Sequence, residues 1–140
     1  MDKVLGKKIK MSQIWKGEKV IPVTIVKYEK PETDLPFKEG DKVKVSGNSK
    51  GRGFQGVVKR HGFHGGPKTH GQKNRHRAPG SIGSTAPQRV VPGRRMAGRM
   101  GNVRVTVKNL VVAEIDAKES TIMLRGAVPG TRGSKIEIRI

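Results

Sequence analysis

The sequence predicts a mainly β protein, a small closed β-barrel that carries a long irregular basic extension, and three observations lead to this prediction. Apolar and polar residues alternate in short runs near both ends of the chain, as in half-buried strands. Between residues 61 and 101, Gly, Pro, Arg and His dominate and aliphatic residues are rare. Residues 42–113 contain 16 Lys or Arg and no acidic residue, in a chain of 140 residues with net charge +19.

The first predicted strands precede the basic region. Residues 20–28 form a β-branched run, and Pro22 within it indicates an edge or a bulge, because proline cannot donate to a strand ladder. Two shorter strand pieces are predicted, one around Val43 and Val45, the other around Phe54 with residues 57–58.

The remaining predicted strands follow the basic region. Val103, Val105 and Val107 alternate with polar residues, so they are expected to share one face. Residues 110–115 and 121–124 flank a plausible hairpin connection at 116–120. In the last strand the side chains predicted to point inward are Ile136, Ile138 and Ile140.

About six or seven short strands and no helix of ordinary length favour a barrel, because closure removes exposed strand edges. We predict a single domain in which residues 1–60 and 102–140 form the barrel and residues 61–101 leave it. Connections longer than about 12–15 residues are uncommon unless they are functional or disordered. Residues 61–101 are therefore either a disordered basic loop or an extension that becomes ordered inside RNA.

The concentrated positive charge requires a polyanion, and nucleic acid phosphate is the first candidate. The chain has no cysteine, which excludes disulfides and thiolate chemistry. No apolar run approaches the ~18 residues of a membrane span, and the basic N-terminus leads into no apolar segment typical of a secretory signal. These features favour a soluble intracellular protein with neither a membrane nor a small-molecule substrate as its partner.

Three features suggest a more specific function that the rest of the sequence disfavours. Residues 51–56 match the G-x-G-x-x-G dinucleotide fingerprint, but no helix is expected after Gly56 and no acidic residue lies between Gly56 and Glu114. The four histidines are clustered, yet no Cys, Asp or Glu lies near them, so no metal site and no cofactor are predicted. Ser81 and Ser84 lack a carboxylate that could orient a base, so no catalytic residue and no enzyme activity are predicted.

The candidate RNA-binding residues are the cations and histidines in and beside the acid-free region. From Arg75 to Arg104 every basic residue is Arg, which binds phosphate bidentately and suits charges buried in RNA. With five aromatic residues in all, recognition of folded shape and backbone is expected in place of a linear base sequence. The predicted RNA-binding residues are Lys50, Arg52, Lys59, Arg60, His61, His64, Lys68, His70, Lys73, Arg75, His76, Arg77, Arg89, Arg94, Arg95, Arg99 and Arg104.

Glycines are expected to permit a tight backbone path through this region, since they allow close approach and positive φ. The glycines predicted to serve this purpose are Gly51, Gly53, Gly56, Gly80, Gly83, Gly93, Gly98 and Gly101.

Several motifs, taken in order, resemble the universal large-subunit ribosomal protein L3 family in a shortened, bacterial-type form. They are GNSKGRGFQG (47–56) followed by VKR (58–60), HRAPGSIG (76–83), MAGRMGN (96–102) and GAVPG (126–130), with LGKK (5–8), Met11 and VIPVT (20–24) near the N-terminus.

The resemblance implies a barrel of the translation-protein type on the large subunit and a central extension, residues 61–101, threading through ribosomal RNA towards the peptidyl-transferase centre. It also implies binding near the 3′ end of 23S-type RNA, a role in early subunit assembly, and neighbouring proteins of the L-fourteen and L-nineteen type in a cytoplasmic ribosome. The extension tip would comprise Ser84, Thr85, Ala86, Pro87 and Gln88, ending at Arg89.

The chain departs from the family pattern in three places. It passes directly from residue 30 to residue 31 where bacterial members have some tens of further residues, Lys10 replaces a usual glycine, and Gln88 is out of register with a methylated glutamine of some members. No modification of the tip is therefore predicted. The sequence also leaves open a free-standing, non-specific basic RNA chaperone.

Overall fold

The computed structural model describes residues 3–29 and 35–140. The junction between residues 30 and 31, where the family resemblance implies missing chain, lies outside these residues. The described residues form eight strands and one short helix, in the order β1 (Lys3–Lys16), β2 (Lys19–Tyr28), β3 (Lys42–Asn48), β4 (Phe54–Gln55), α1 (Val57–His61), β5 (Gly98–Arg99), β6 (Arg104–Asp116), β7 (Thr121–Arg125) and β8 (Lys135–Arg139). The prediction of a mainly β protein is confirmed.

Six of the strands pair in a ring. The hydrogen-bonded order is β1-β2-β7-β6-β3-β8, and β8 pairs again with β1, which makes this sheet a barrel. Every pairing in it is antiparallel. The register shifts between Lys8 and Lys10, between Val43 and Val45, and beside Ala113. Such bulges bend the strands and increase their twist, which curvature into a barrel requires.

The barrel core consists of aliphatic side chains that alternate along the strands. Burying each of them stabilises the fold by about 1.5–3 kcal/mol. Nine core side chains are at most 1% exposed, namely Val23, Val26, Val43, Val45, Val112, Ile122, Leu124, Ile136 and Ile138. The inward direction predicted for Ile136 and Ile138 is thus confirmed.

Other strand predictions differ from the structure. Ile140 lies beyond the end of β8 and is 58% exposed, so its predicted inward position is wrong. Val103 and Val105 are exposed, because the first half of β6 faces solvent. The buried core position of this strand is Val112. The 14-residue strand β1 was not among the predicted strands, because glycine and lysines interrupt its alternation.

Local turn chemistry agrees with the sequence analysis. The connection from β6 to β7 is the predicted hairpin, in which the Asp116 carboxylate accepts hydrogen bonds from the backbone N–H groups of Lys118 and Glu119 at 2.8 and 3.2 Å. The ladder between β2 and β7 begins at Val23, so Pro22 lies at its open end, as expected for an edge proline.

The two chain segments that flank residues 51–101 are held together by backbone hydrogen bonds. The Ser49 N–H donates to the Val103 carbonyl at 2.9 Å, and the Asn102 N–H donates to the Ser49 carbonyl at 3.2 Å. Strands β3 and β6 therefore stay paired up to Ser49 and Asn102, next to the ends of residues 51–101.

A buried lysine attaches the loop after β7 to β1. The Nζ of Lys8 donates to the carbonyls of Val128 and Gly130 at 2.9 and 3.0 Å, and Lys8 is 7% exposed. Burial, and secondarily the nearby Lys50 ammonium, lowers the pKa of Lys8 below that of an ordinary lysine. The amine thus satisfies two carbonyls within the GAVPG segment that no other side chain donates to in the described chain.

Replacing Lys8 by Met is expected to lower the free energy of unfolding by about 1–3 kcal/mol, because two carbonyls lose their donor. Urea unfolding measures the change. Lys7→Met is the matched control, since Lys7 is exposed on the same strand and its loss is expected to change the free energy by less than about 0.5 kcal/mol. Equal midpoints for the two variants would contradict the role given to Lys8.

Candidate nucleic-acid interface

The chain divides into two compact units, and each is described by itself. The barrel unit contains the residues up to Lys50 together with Asn102–Ile140, and the basic unit is Gly51–Gly101. Fifteen of the seventeen predicted RNA-binding side chains lie in the basic unit. The other two, Lys50 and Arg104, lie in the barrel unit.

The basic unit has almost no interior. Val57 is its only buried side chain, and every residue from 79 to 97 is exposed. The unit contains eleven Lys or Arg, all four histidines and no acidic residue. Its conformation consequently depends on backbone hydrogen bonds and glycine geometry, and its cations face solvent.

A two-stranded ribbon joins the beginning and the end of the basic unit. Strands β4 and β5 pair antiparallel, with Phe54 opposite Arg99 and Gln55 opposite Gly98. On one side of these pairs the Arg52 N–H donates to the Met100 carbonyl, and the Met100 N–H donates to the Gly53 carbonyl, both at 2.9 Å. The ribbon fixes the backbone around two predicted RNA-binding arginines.

Helix α1 corrects the expectation that no helix could follow Gly56. Its five residues form one turn, with the Arg60 N–H donating to the Gly56 carbonyl at 2.9 Å. The helix ends at Gly62, which is left-handed with φ 73°, so it is far too short for the helix that dinucleotide binding requires. Residues 57–58, predicted as strand, belong to this turn, because the hydrogen bonds from Arg60 N–H to Gly56 and from Gly62 N–H to Val58 close it around them.

The last turn of α1 is attached to the returning chain at one carbonyl. The Arg60 Nη1 donates to the Met96 carbonyl at 2.7 Å, and the His61 Nε2 donates to the same oxygen at 3.0 Å. A Cβ at Gly98 would lie 2.8 Å from the Arg60 Nη1. The predicted glycine at 98 therefore makes room for a guanidinium.

A second close approach involves two glycines that the sequence analysis did not select. The Gly66 N–H donates to the His76 carbonyl at 2.9 Å, and the His76 Nδ1 lies 3.4 Å from the Gly66 carbonyl. A Cβ at Gly65 would lie 2.1 Å from the His76 carbonyl oxygen, and one at Gly66 would lie 2.8 Å from the Arg75 carbonyl oxygen. The adjacent pair of glycines was the available signal in the sequence.

The predicted tip is an exposed turn with its own hydrogen bonds. The Ser81 Oγ donates to the Gly83 carbonyl at 2.9 Å, and the Arg94 guanidinium donates to the Ser81 carbonyl. Gln88 has a left-handed backbone with φ 57°, and the turn of residues 85–87 precedes it. Arg94 thus connects the two arms of this turn.

The predicted glycines fall into different classes. Positive φ values occur at Gly53, Gly80, Gly93 and Gly101, where other residues would be strained. A Cβ at Gly56 would meet nothing within 4 Å, and Gly56 has φ −69°, so glycine is not required there.

Acidic partners for the predicted cations are scarce. Within residues 3–29 and 35–140, the ion pairs join Glu137 to Arg104 at 2.6 Å and to Arg139 at 3.1 Å. Desolvation raises the pKa of Glu137, but the two guanidinium groups outweigh it and hold the pKa below that of an ordinary glutamate. Arg104 therefore differs from the other predicted residues, because a carboxylate already neutralises its charge.

Two further kinds of feature are absent from the described chain. It contains no group of three or more His, Cys, Asp or Glu side chains placed to hold a metal ion. It also contains no helix with the length and hydropathy needed to cross a membrane.

The fold and the charge together define a β-barrel protein that carries an exposed, acid-free cationic unit. A model of the family described as Ribosomal protein L3 matches residues 18–122. This chain belongs to the ribosomal protein L3 family.

Individual relatives agree with this assignment. Large ribosomal subunit protein uL3 of Herpetosiphon aurantiacus is 60% identical over 103 residues, covering 73% of this chain and 49% of that protein. The corresponding protein of Dehalococcoides mccartyi strain CBDB1 is 58% identical over 104 residues, covering 74% and 51%. The chain thus spans about half the length of these curated relatives. The uL3 protein of Deinococcus radiodurans is 38% identical over an alignment of 200 positions, covering 99% of this chain and 94% of that protein.

Replacing Gly66 by Ala is expected to separate the two backbone segments, because the new methyl group would clash with the Arg75 carbonyl oxygen. Hydrogen-exchange NMR is expected to show faster exchange of the residue-66 amide, and RNA affinity is expected to fall. Gly56→Ala is the matched control, and it is expected to leave both unchanged. An unaltered exchange rate in Gly66→Ala would contradict the close approach.

Replacing Glu137 by Gln is expected to destabilise the barrel at pH 7. Because the pKa of Glu137 is lowered in the folded state, its contribution is present above the ordinary glutamate pKa of about 4.3 and is lost as pH falls through the folded value. Urea midpoints of the native chain and the variant are therefore expected to converge at low pH. Glu119→Gln, at an exposed site, is the control; a pH-independent difference would disprove the ion-pair account.

Proposed function

We propose that this chain is a structural, non-enzymatic constituent of the large ribosomal subunit in the cytoplasm and that it binds 23S-type ribosomal RNA. The barrel unit, a barrel of the translation-protein type, docks near the 3′ end of that RNA. Residues 61–101 extend into the RNA, and the tip at residues 84–89 buttresses the peptidyl-transferase region without taking part in the chemistry. The observation that carries this proposal is an exposed unit with eleven Lys or Arg and no acidic side chain.

The charges of the basic unit support RNA as the partner. Like charges held in one segment repel unless counter-charge arrives, and the basic unit supplies none of its own. Six of its arginines make no side-chain hydrogen bond within the described chain and remain available for phosphate. These arginines are Arg52, Arg75, Arg77, Arg89, Arg95 and Arg99.

The near absence of a buried interior in the basic unit supports its becoming ordered as RNA binds. Ordering a backbone costs about 1–2 kcal/mol per residue, and the basic unit buries one side chain to offset that cost. Phosphate contacts formed as the RNA folds around the unit supply the missing stabilisation. We therefore assign the chain a role in early subunit assembly, next to proteins of the L-fourteen and L-nineteen type.

The relatives support the same assignment. The three compared relatives are named as proteins of the large ribosomal subunit. Two of them match this chain through about half of their own length. The Deinococcus radiodurans alignment is longer than this chain, which agrees with a shortened form.

Crosslinking the chain to RNA in cell extract, followed by mapping of the crosslinked nucleotides, tests the proposal. We expect crosslinks from residues 84–89 near the peptidyl-transferase centre and crosslinks from the barrel unit near the 3′ end of large-subunit RNA. Crosslinks scattered over many RNAs without positional preference would overturn the proposal and favour a free-standing, non-specific RNA chaperone.

The affinity for large-subunit RNA is expected to decrease by several orders of magnitude between low and moderate salt, because about eight neutralised phosphates release their counterions. Changing Arg94 and Arg95 together to Glu is expected to weaken binding and to leave the barrel folded. Filter binding across a salt series and circular dichroism measure the two effects. The control is Arg104→Gln, which is expected to change the salt slope less because Glu137 already pairs with Arg104.

A further inference from the structure

Phe54 is the most exposed large apolar side chain among the residues that the structure describes. It is 76% exposed, although burying a phenylalanine stabilises a fold by about 1.5–3 kcal/mol. The barrel core does not include it. An exposed phenyl ring in an acid-free, cationic unit requires an explanation that the phosphate contacts do not provide.

The backbone beneath Phe54 is well fixed. On its N-terminal side, backbone hydrogen bonds join Arg52 and Gly53 to Met100. On its C-terminal side, Gln55 pairs with Gly98. In addition, the Gln55 side-chain amide donates to the Arg52 carbonyl. A ring on such a ribbon has little backbone freedom to lose on binding, so it is preorganised for contact.

The side chain that shares a face with Phe54 is an arginine. Phe54 and Arg99 are directly opposite on an antiparallel ribbon, which places their Cβ atoms about 4.5–5.5 Å apart. Arg99 makes no side-chain hydrogen bond in the described chain and is exposed. The face therefore presents an aromatic ring and a planar cation side by side.

We infer that Phe54 stacks on one unpaired nucleobase of RNA and that Arg99 binds the phosphate of the same nucleotide. This inference rests on the proposed function and adds a base-binding site to it. Stacking on aromatic rings and guanidinium planes is how proteins bind splayed-out bases. One ring accommodates one base, so the site differs from a multi-base platform that reads linear sequence.

The charge of the face favours a nucleotide over an apolar protein surface. Covering Phe54 with apolar side chains would also remove water from the Arg99 guanidinium without giving it a partner, which is costly. A nucleotide instead offers a π-face to the ring and negative charge to the guanidinium. Residues 42–113 contain no carboxylate that could compete for Arg99.

The test compares an oligoadenylate with the same oligoadenylate paired to oligouridylate, using the full chain. Phe54→Leu is expected to weaken single-strand binding about tenfold, within the range for base stacking on an aromatic residue, and to leave duplex binding unchanged. The salt slope is expected to stay constant, because stacking releases no counterions. Arg99→Gln is the matched control and is expected to lower the slope by about one on both RNAs.

A fluorescent variant gives an independent readout. The chain has a single tryptophan, the exposed Trp15, so Phe54→Trp combined with Trp15→Phe places the only indole at the proposed site. Its fluorescence is expected to be quenched by the oligoadenylate and much less by the duplex. Thermal unfolding verifies that each variant folds.

The outcomes separate this inference from the proposed function. If Phe54→Leu weakens both RNAs equally, or neither, and the indole shows no preference for the single strand, Phe54 does not stack on a base. RNA binding and the ribosomal proposal would survive that result. Scattered crosslinks in cell extract would instead overturn the ribosomal proposal, whatever Phe54 contacts.

Discussion

Uncompensated positive charge is the constraint on which the organisation of this chain depends. All eleven acidic residues lie outside residues 42–113, and sixteen cations lie inside. Positions used for cations and glycines cannot also supply apolar side chains to a core, so residues 51–101 bury only Val57. The ion pairs of the described chain involve Glu137 in the barrel unit, where a carboxylate is available. The apolar core and the uncompensated positive charge are consequently located in different parts of the chain.

The barrel unit supplies its own stability. Its core cluster is built entirely from residues before 51 and after 101, so the apolar interior owes nothing to the basic unit. Lys8 is a further stabilising contact within the barrel unit. Its buried amine donates to the carbonyls of Val128 and Gly130 and so attaches the loop after β7 to β1. The GAVPG segment, residues 126–130, is thus held in place by hydrogen bonds that its carbonyls accept from Lys8.

The sequence predicted the class of fold and the location of the charge, but much less of the local geometry. Alternation identified Ile136 and Ile138 as core because their strand is buried on one face throughout. It misjudged Ile140, since period two cannot show where along a strand the barrel ends. One turn of helix at Val57 and the Lys8 contacts depend on residues distant in sequence. The adjacent glycines Gly65 and Gly66 were a local signal of a close approach, but no local pattern could indicate that they approach Arg75–Arg77 across an intervening loop.

The hydrogen bonds between Ser49 and the chain at Asn102–Val103 have a consequence for how the family can vary. They close the base of a 51-residue excursion, so the barrel register is set before the excursion begins and after it ends. The entropy of closing a flexible loop rises only with the logarithm of its length, by about 0.6 kcal/mol for each doubling. Insertions and deletions beyond this base would thus be almost neutral for barrel stability. Barrel stability therefore places little constraint on the length of the basic unit.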